Sequence, residues 1–319
     1  MSIIFRRLVG VPNIHNVRLS CTVFDGKEAS KSILDSLKLR VQEWVSVGNR
    51  PPQLSVVLVG DDPASLAYIR IKTRVAKEVG IGSNIIKLST ETNQNDLINI
   101  IEVLNKDRNV DGILVQLPLP SHLNQHIINN SINPTKDVDG FTQVNMGRLC
   151  MNSALFVPCT AMAVVKIIEQ IGIETKGKHA LVCSRSKHVG LPIVLMLHSS
   201  RFAEGMEGLN MTTTLCHRHT PKEQLKSIAQ KADFIISATG LPRMFTSDMI
   251  KEEAVVIDVG MTRKCEDSKV TFVGDVDFDD VKQKASFITP VPGGVGPMTV
   301  SFLMENTLKA AKVNSDCKN

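Results

Sequence analysis

Aromatic side chains are scarce in this sequence. They make up 4% of its 319 residues, with one tryptophan and one tyrosine. A nucleic-acid surface wants a basic stripe interleaved with aromatic stacking platforms. Here the formal charge of +5 is mild and no lysine/arginine run exceeds two residues, so no nucleic-acid partner is expected. Nor does any apolar run approach the roughly 20 residues of a membrane span, and no membrane partner is expected. The seven cysteines (Cys21, Cys150, Cys159, Cys183, Cys216, Cys265 and Cys317) are odd in number and lack a Cys-x-x-Cys pair. That spacing argues against a disulfide framework and against zinc, and it favours a reducing compartment. No metal ligand set is assigned. Acids are missing too: none precedes Asp25, while Arg6, Arg7 and Arg18 fall in that stretch. An acid-poor, arginine-bearing, partly amphipathic start reads as a mitochondrial presequence over residues 1–24, with a disordered basic tail as the bland alternative.

What is present is a regular alternation. Short apolar runs such as "LSVVLVG" (54–60), "GILVQL" (112–117), "HALVCS" (179–184) and "AVVIDV" (254–259) carry no polar alternation. Such runs suit parallel strands buried on both faces. Amphipathic stretches separate them, at roughly 27–47, 64–80, 93–106, 160–172, 190–199, 221–231 and 297–312, which makes the fold class α/β. The 221–231 stretch carries a capping-box pattern, with Thr220 at the cap, Pro221 first and Glu223 closing the box. The pattern breaks near 150–160, so the expected division is 25–160, 161–295 and a final helix, 296–319, that could return to the first domain.

In the second domain, "HALVCSRSKHVGLPIVLML" is strand, turn and helix, the setting in which a dinucleotide phosphate meets a helix N-terminus. The G-x-G-x-x-G fingerprint is absent; only Gly190 stands at the helix start. The next strand ends in "CHRHT", with Arg218 where an NAD site would offer an acid. Arg185 stands in the first turn. Two guanidiniums at corresponding strand ends suit a phosphate, either the 2′-phosphate of NADP or a captured free phosphate. Solvated surface arginines are the bland reading. "TPVPGGVGPMT" (289–299) concentrates glycine and proline beyond what a turn requires and reads as a ligand-facing loop.

In the first domain, Ala64, Tyr68, Lys72, Val75 and Val79 share one helical stripe, with Arg70, Arg74 and Lys77 opposite. A lysine inside an apolar stripe usually snorkels to water. Two other segments give it chemistry. "GILVQLPLP" ends a strand with Gln116 at the carboxyl edge, and "PTKDVDGF" brings Asp137 and Asp139 to the same edge. A lysine partly desolvated there has lowered proton affinity and can do acid–base work near neutral pH.

Together, "VGDDPASLAYIRIK", "GILVQLPLP", "KDVDGF", "SRSKHVGLP", "VVIDVG", "VGDVDF" and "ITPVPGGVGPMT" closely resemble the bifunctional methylenetetrahydrofolate dehydrogenase/cyclohydrolases, mitochondrial members in particular, over about residues 25–313. The resemblance implies an N-terminal α/β folate-binding domain, a Rossmann-like parallel-sheet NAD(P) domain and a homodimer acting on tetrahydrofolate substrates. It implies Lys72 as the acid–base residue, Tyr68 stacking on the folate's p-aminobenzoyl part, Gln116 tuning Lys72 and Asp139 bonding the pterin. Val115, Leu117 and the loop Pro292, Gly293, Gly294, Val295 and Gly296 would line the folate side. Thr160 would stand near the nicotinamide of NAD or NADP, and Ser184, Arg185, Ser186 and Arg218 along the diphosphate and ribose.

Three departures from the pattern stand out. Ser184 replaces a usual glycine in the phosphate turn. Ala161 and Ala163 in "PCTAMA" leave the hinge less constrained. Asn152 stands where NAD-using mitochondrial forms are implied to recruit magnesium through an acid, so magnesium is not expected while inorganic phosphate stays open. A degenerate family member that binds folate or nucleotide without turnover is the alternative, and an unrelated Rossmann dehydrogenase acting on an amino or hydroxy acid is a third reading.

Overall fold

The computed structural model describes residues 21–203, 205–266 and 269–316. The expected presequence therefore lies, up to Ser20, outside the described residues. The chain enters as a two-residue strand β1 (Thr22–Val23) followed by helix α1 (Gly26–Ser46), whose cap Asp25 accepts from the Lys27 and Glu28 amides. Next come β2 (Gln53–Val59), α2 (Pro63–Glu78), β3 (Gly82–Leu88), α3 (Gln94–Lys106) and β4 (Gly112–Val115). Two short helices, α4 (Gln125–Ser131) and α5 (Gln143–Cys150), lead to α6 (Cys159–Ile171).

The second series runs β5 (His179–Cys183), α7 (Gly190–His198), the small hairpin β6 (Arg201–Ala203) and β7 (Met206–Glu207), β8 (Thr212–Cys216), α8 (Lys222–Ala229) and β9 (Phe234–Ser237). It continues with β10 (Val255–Asp258), the hairpin β11 (Thr262–Glu266) and β12 (Lys269–Val273), α9 (Phe278–Val281), β13 (Phe287–Ile288) and α10 (Val295–Asp316).

Three strands form the first sheet, in the parallel order β3-β2-β4. Six form the second, in the parallel order β1-β13-β10-β9-β5-β8. The unbroken apolar runs are explained by burial: all but the first residue of β2, and all of β4, β9 and β10, are buried. Strand β1 lies on the edge of the second sheet, so the residues just before α1 belong physically to the second unit. The C-terminal helix α10 does return to the first unit, packing on α1 and α6 and touching α2. Its Ser301 hydroxyl meets that of Ser30 at 2.7 Å. One apolar cluster runs from β2 and α2 through α6 and α10 into α7 and β5, so the two sheets share a core across the waist.

Two features differ from the sequence expectation. Helices α4 and α5 fall where the sequence reading assigned no element, because their polar turns are fixed by caps at Asn124 and Thr142 rather than by apolar periodicity. The capping box at 220–223 does not form. Helix α8 starts at Lys222 without a side-chain cap. The Thr220 hydroxyl accepts instead from the His217 amide at 3.1 Å, closing the turn that carries Arg218.

Candidate functional site

Helix α2 is started by Asp62, whose carboxylate accepts from the Ser65 amide at 2.8 Å, with Pro63 in the first turn. That start sets the phase of the helix. Val75 and Val79 are buried, Tyr68 and Lys72 are half-buried, and Arg70, Arg74 and Lys77 are exposed. The lysine does not snorkel to water. Its Nζ donates to Gln116 Oε1 at 2.9 Å. The other end of that amide donates from Nε2 to the Leu117 carbonyl at 2.7 Å, which decides that the oxygen faces the lysine. Gln116 is itself placed by its backbone amide, which continues the β2–β4 pairing onto Val57 O. Val115 is buried beneath it, and Leu117 is half-buried beside the cleft.

Asp137 and Asp139 separate sharply. Asp137 is fully buried and consumed by its own turn, accepting from the Phe141 and Thr142 amides and from Asn145 Nδ2. Asp139 faces Lys72. Burial raises its carboxyl to about 6, against the lowering pull of Lys72. Burial likewise lowers the Lys72 ammonium, and Asp139 opposes that shift. The pair thus brings an easily deprotonated amine and an easily protonated carboxyl to one place.

Three residues that the sequence reading passed over complete this wall. The Cys159 thiol, at the start of α6, lies beside Asp139 and Lys72 and is buried. Asn306 of α10 donates to the Val138 and Val157 carbonyls, at 2.8 and 3.2 Å, and clamps the two loops together. Met261, at the root of the β11–β12 hairpin, accepts from the Tyr68 hydroxyl at 3.0 Å across the cleft. Cys159 sat within a motif already quoted. Asn306 and Met261 had no local signal, since only the tertiary fold brings them there.

The loop before α10 lies against the first turn of α1. Gly294 is buried and Pro292 exposed, with Gly293 at a φ of 108°. A Cβ on Gly26 would stand 1.9 Å from Gly294 O, so the first turn of α1 lies directly on this loop. Val295 and Gly296 belong to α10, which opens two residues before Pro297.

On the nucleotide side, β5 and β8 pair with Cys183 opposite Cys216. Arg185 and Arg218 therefore stand at matching positions two residues beyond adjacent strand ends, both exposed. Ser184 is buried and its hydroxyl accepts from the Ser186 amide at 3.3 Å. A Cβ on Gly190 would meet Ser184 O at 2.1 Å, so helix and strand are packed as closely as the last glycine of a dinucleotide turn requires. Strand, tight turn and nine-residue helix fit a dinucleotide phosphate despite the missing fingerprint. Thr160 is half-buried in the first turn of α6, with Ala161 and Ala163 fully buried behind it. Asn152 is exposed just beyond α5, at a φ of 58° that asparagine tolerates well.

The acids of "VVIDVG" and "VGDVDF" are occupied structurally. Asp275 accepts from Ser237 Oγ and the Thr239 and Gly240 amides, while Asp258 accepts from the Gly260 and Val276 amides. Burial, then Asp275, lifts Asp258 to about 7.

A dinucleotide edge facing a lysine–carboxylate wall across a waist defines a two-domain, nucleotide-dependent α/β enzyme. Comparison with known proteins gives the family. Residues 24–139 match the tetrahydrofolate dehydrogenase/cyclohydrolase catalytic domain, and residues 158–315 match the NAD(P)-binding domain of the same family. The chain belongs to the tetrahydrofolate dehydrogenase/cyclohydrolase family. It is 51% identical over 298 residues to the mitochondrial bifunctional methylenetetrahydrofolate dehydrogenase/cyclohydrolase 2 of Callithrix jacchus, covering 93% of this chain and 86% of that one. The structure of the 5,10-methylenetetrahydrofolate dehydrogenase of Bombyx mori superposes with a TM-score of 0.87 at 45% identity, over 93% of this chain and 99% of that one. The Trypanosoma brucei dehydrogenase-cyclohydrolase, solved with NADP and an inhibitor, gives 0.87 at 34% identity, over 93% and 99%.

Proposed function

We propose that this chain oxidises 5,10-methylenetetrahydrofolate to 5,10-methenyltetrahydrofolate with NAD or NADP and hydrolyses the product to 10-formyltetrahydrofolate, in mitochondria. The observation that carries the reading is Lys72, held 2.9 Å from Gln116 Oε1 on an otherwise apolar helix face beside Asp139. When bound, the nicotinamide supplies the hydride acceptor; the protein's share is positioning, desolvation and proton handling.

Each role follows from the surroundings. Tyr68 offers the folate an aromatic face and is already ordered by Met261. Asp139, ionised above about pH 6, would accept a hydrogen bond from the pterin. Lys72, with proton affinity lowered by burial, would orient water at the methenyl carbon and carry the proton as the ring opens to the formyl product. Gln116 holds the amine without neutralising it. On the other side Ser184, Arg185 and Ser186 would bind the diphosphate. Arg218 with Arg185 would hold either the 2′-phosphate of NADP or an inorganic phosphate beside NAD. The neutral Asn152 gives a magnesium ion no charge to bind there. A homodimer is expected from the family resemblance and is tested by sedimentation.

The activity test follows methenyl and reduced-nicotinamide absorbance from 5,10-methylenetetrahydrofolate with NAD, with NADP, and with NAD plus phosphate, each with and without magnesium. Hydride transfer followed by decay of the methenyl signal, indifferent to magnesium, is expected. Folate binding with no hydride transfer under any condition would replace the enzyme with a binding protein.

A further inference from the structure

Resting on the function proposed above, we propose that His188 is a positioning residue coupling the nucleotide turn to the folate unit, so that filling one half of the cleft strengthens binding in the other. His188 lies on the β5–α7 turn, two residues past Ser186, and its backbone amide donates to Ser186 Oγ at 3.3 Å. Its side chain leaves the nucleotide unit altogether. The imidazole packs on the Phe141 ring, with centroids 4.4 Å apart and planes tilted by 50°. Its Nδ1 lies 3.1 Å from Gln125 Nε2, and its Nε2 lies 3.2 Å from Asn129 Nδ2. Gln125 and Asn129 are one turn apart on α4, so a single helix face presents both amides.

The other end of this contact is the pterin-side turn. Phe141 stands two residues after Asp139, and its amide is pinned by the buried Asp137 carboxylate at 3.1 Å. A rigid path therefore runs from Ser186 through the His188 ring to Phe141 and on to Asp139. The tilted ring–ring contact constrains the plane of the imidazole, and the two amides constrain its rotation within that plane. An apolar filler of similar size would occupy the space and fix neither.

The chemistry of the ring adds a constraint. A neutral imidazole donates from one nitrogen and accepts at the other, so for both contacts to be hydrogen bonds one of the two facing amides has to turn its carbonyl, in place of its NH2, to the ring. Burial holds His188 below its ordinary pKa. Lys187 and His126 act in the same direction and Asp137 against it. The neutral ring, with one donor and one acceptor, is thus the form this pair of amides receives. A shift of the 184–189 turn on cofactor binding moves that ring against Phe141 and α4 together. Linkage then requires the folate to change cofactor affinity by the same factor.

The test uses the full chain with NADP+ and folic acid, a pterin ligand that does not react. Titration calorimetry gives each dissociation constant alone and with the other ligand saturating. The wild type is expected to show coupling of about 5-fold or more. His188→Ala is expected to bring the coupling close to one, with each ligand's own dissociation constant changed by no more than about 3-fold. Phe141→Leu should do the same from the folate side, and His188→Asn, which keeps one polar arm, should retain part of it. Coupling that survives both His188→Ala and Phe141→Leu overturns the inference while leaving the proposed function intact. So does a wild type that binds both ligands without coupling. A wild type that binds neither ligand overturns the function and this inference with it.

Discussion

On the lysine side of the cleft, Lys72, Gln116 and Asp139 are half-buried or buried and hydrogen-bonded or facing one another, and burial lowers the Lys72 ammonium and raises the Asp139 carboxyl while each opposes the other's shift. On the nucleotide side, Arg185, Ser186 and Arg218 stand exposed at strand ends. The difference follows from what each side must do in the proposed function. An acid–base group has to be detuned before substrate arrives, which requires desolvation and fixed neighbours. A phosphate clamp needs only charge and reach, and two exposed guanidiniums supply both without costing stability in their absence. One side should therefore answer mutation in rate and the other in affinity.

The largest effect expected is at Lys72. Lys72→Met keeps most of the length of the side chain and removes its titratable amine. Methenyl hydrolysis should fall by about 10²–10⁴-fold, the usual contribution of a positioned acid–base group. Below about pH 6, where Asp139 is protonated, the melting temperature should hold or rise, because a desolvated ammonium has gone. Hydrolysis within 3-fold of wild type would put the chemistry elsewhere. At the opposite edge, Arg218→Ala and Arg185→Ala each remove charge-assisted hydrogen bonds worth about 1.5–3 kcal/mol. The KM for NADP, or for phosphate when NAD is used, should rise by about 10–150-fold with kcat within about 3-fold. A fall in kcat at constant KM would erase the contrast between the two sides.

How far this was legible in the sequence follows the same division. The strand–helix alternation and the Tyr68–Lys72 stripe are local patterns, and both survive in the structure. The choice between Asp137 and Asp139 was not open to pattern reading. One carboxylate is used up by the Phe141 and Thr142 amides and Asn145, while the other faces Lys72, and only the folded chain shows which is which. The capping pattern at Thr220 misled because its hydroxyl had a nearer donor in the His217 amide. Asn306 and Met261 lie 147 and 102 residues from Cys159 and Cys159 lies 87 from Lys72 along the chain, separations at which no sequence period operates. The nucleotide turn was legible from its strand, its helix start and Gly190 even without the glycine fingerprint, because close packing against Ser184 needs only that one glycine.

The smallest effect expected concerns Asp139 and pH. Its carboxyl titrates at about 6 in the folded protein, against about 3.9 in an unfolded chain. A raised carboxyl pKa contributes stability that is fully present below about pH 3.9 and is lost as pH rises through about 6. Above that point the ionised carboxylate works against the fold, partly offset by Lys72. Asp139→Asn has nothing to titrate there. Its melting temperature relative to wild type should therefore climb between pH 4.5 and pH 7.5, by at most about 5 °C. Folate affinity should move in the opposite sense. In the wild type it should weaken as pH falls through about 6 and Asp139 gains its proton, whereas the variant should bind weakly and with a flat profile over that range. A wild-type folate affinity with no inflection near pH 6 would mean that the carboxylate shields Lys72 without touching the pterin. The acid–base side of the cleft would then rest on the lysine and its glutamine alone.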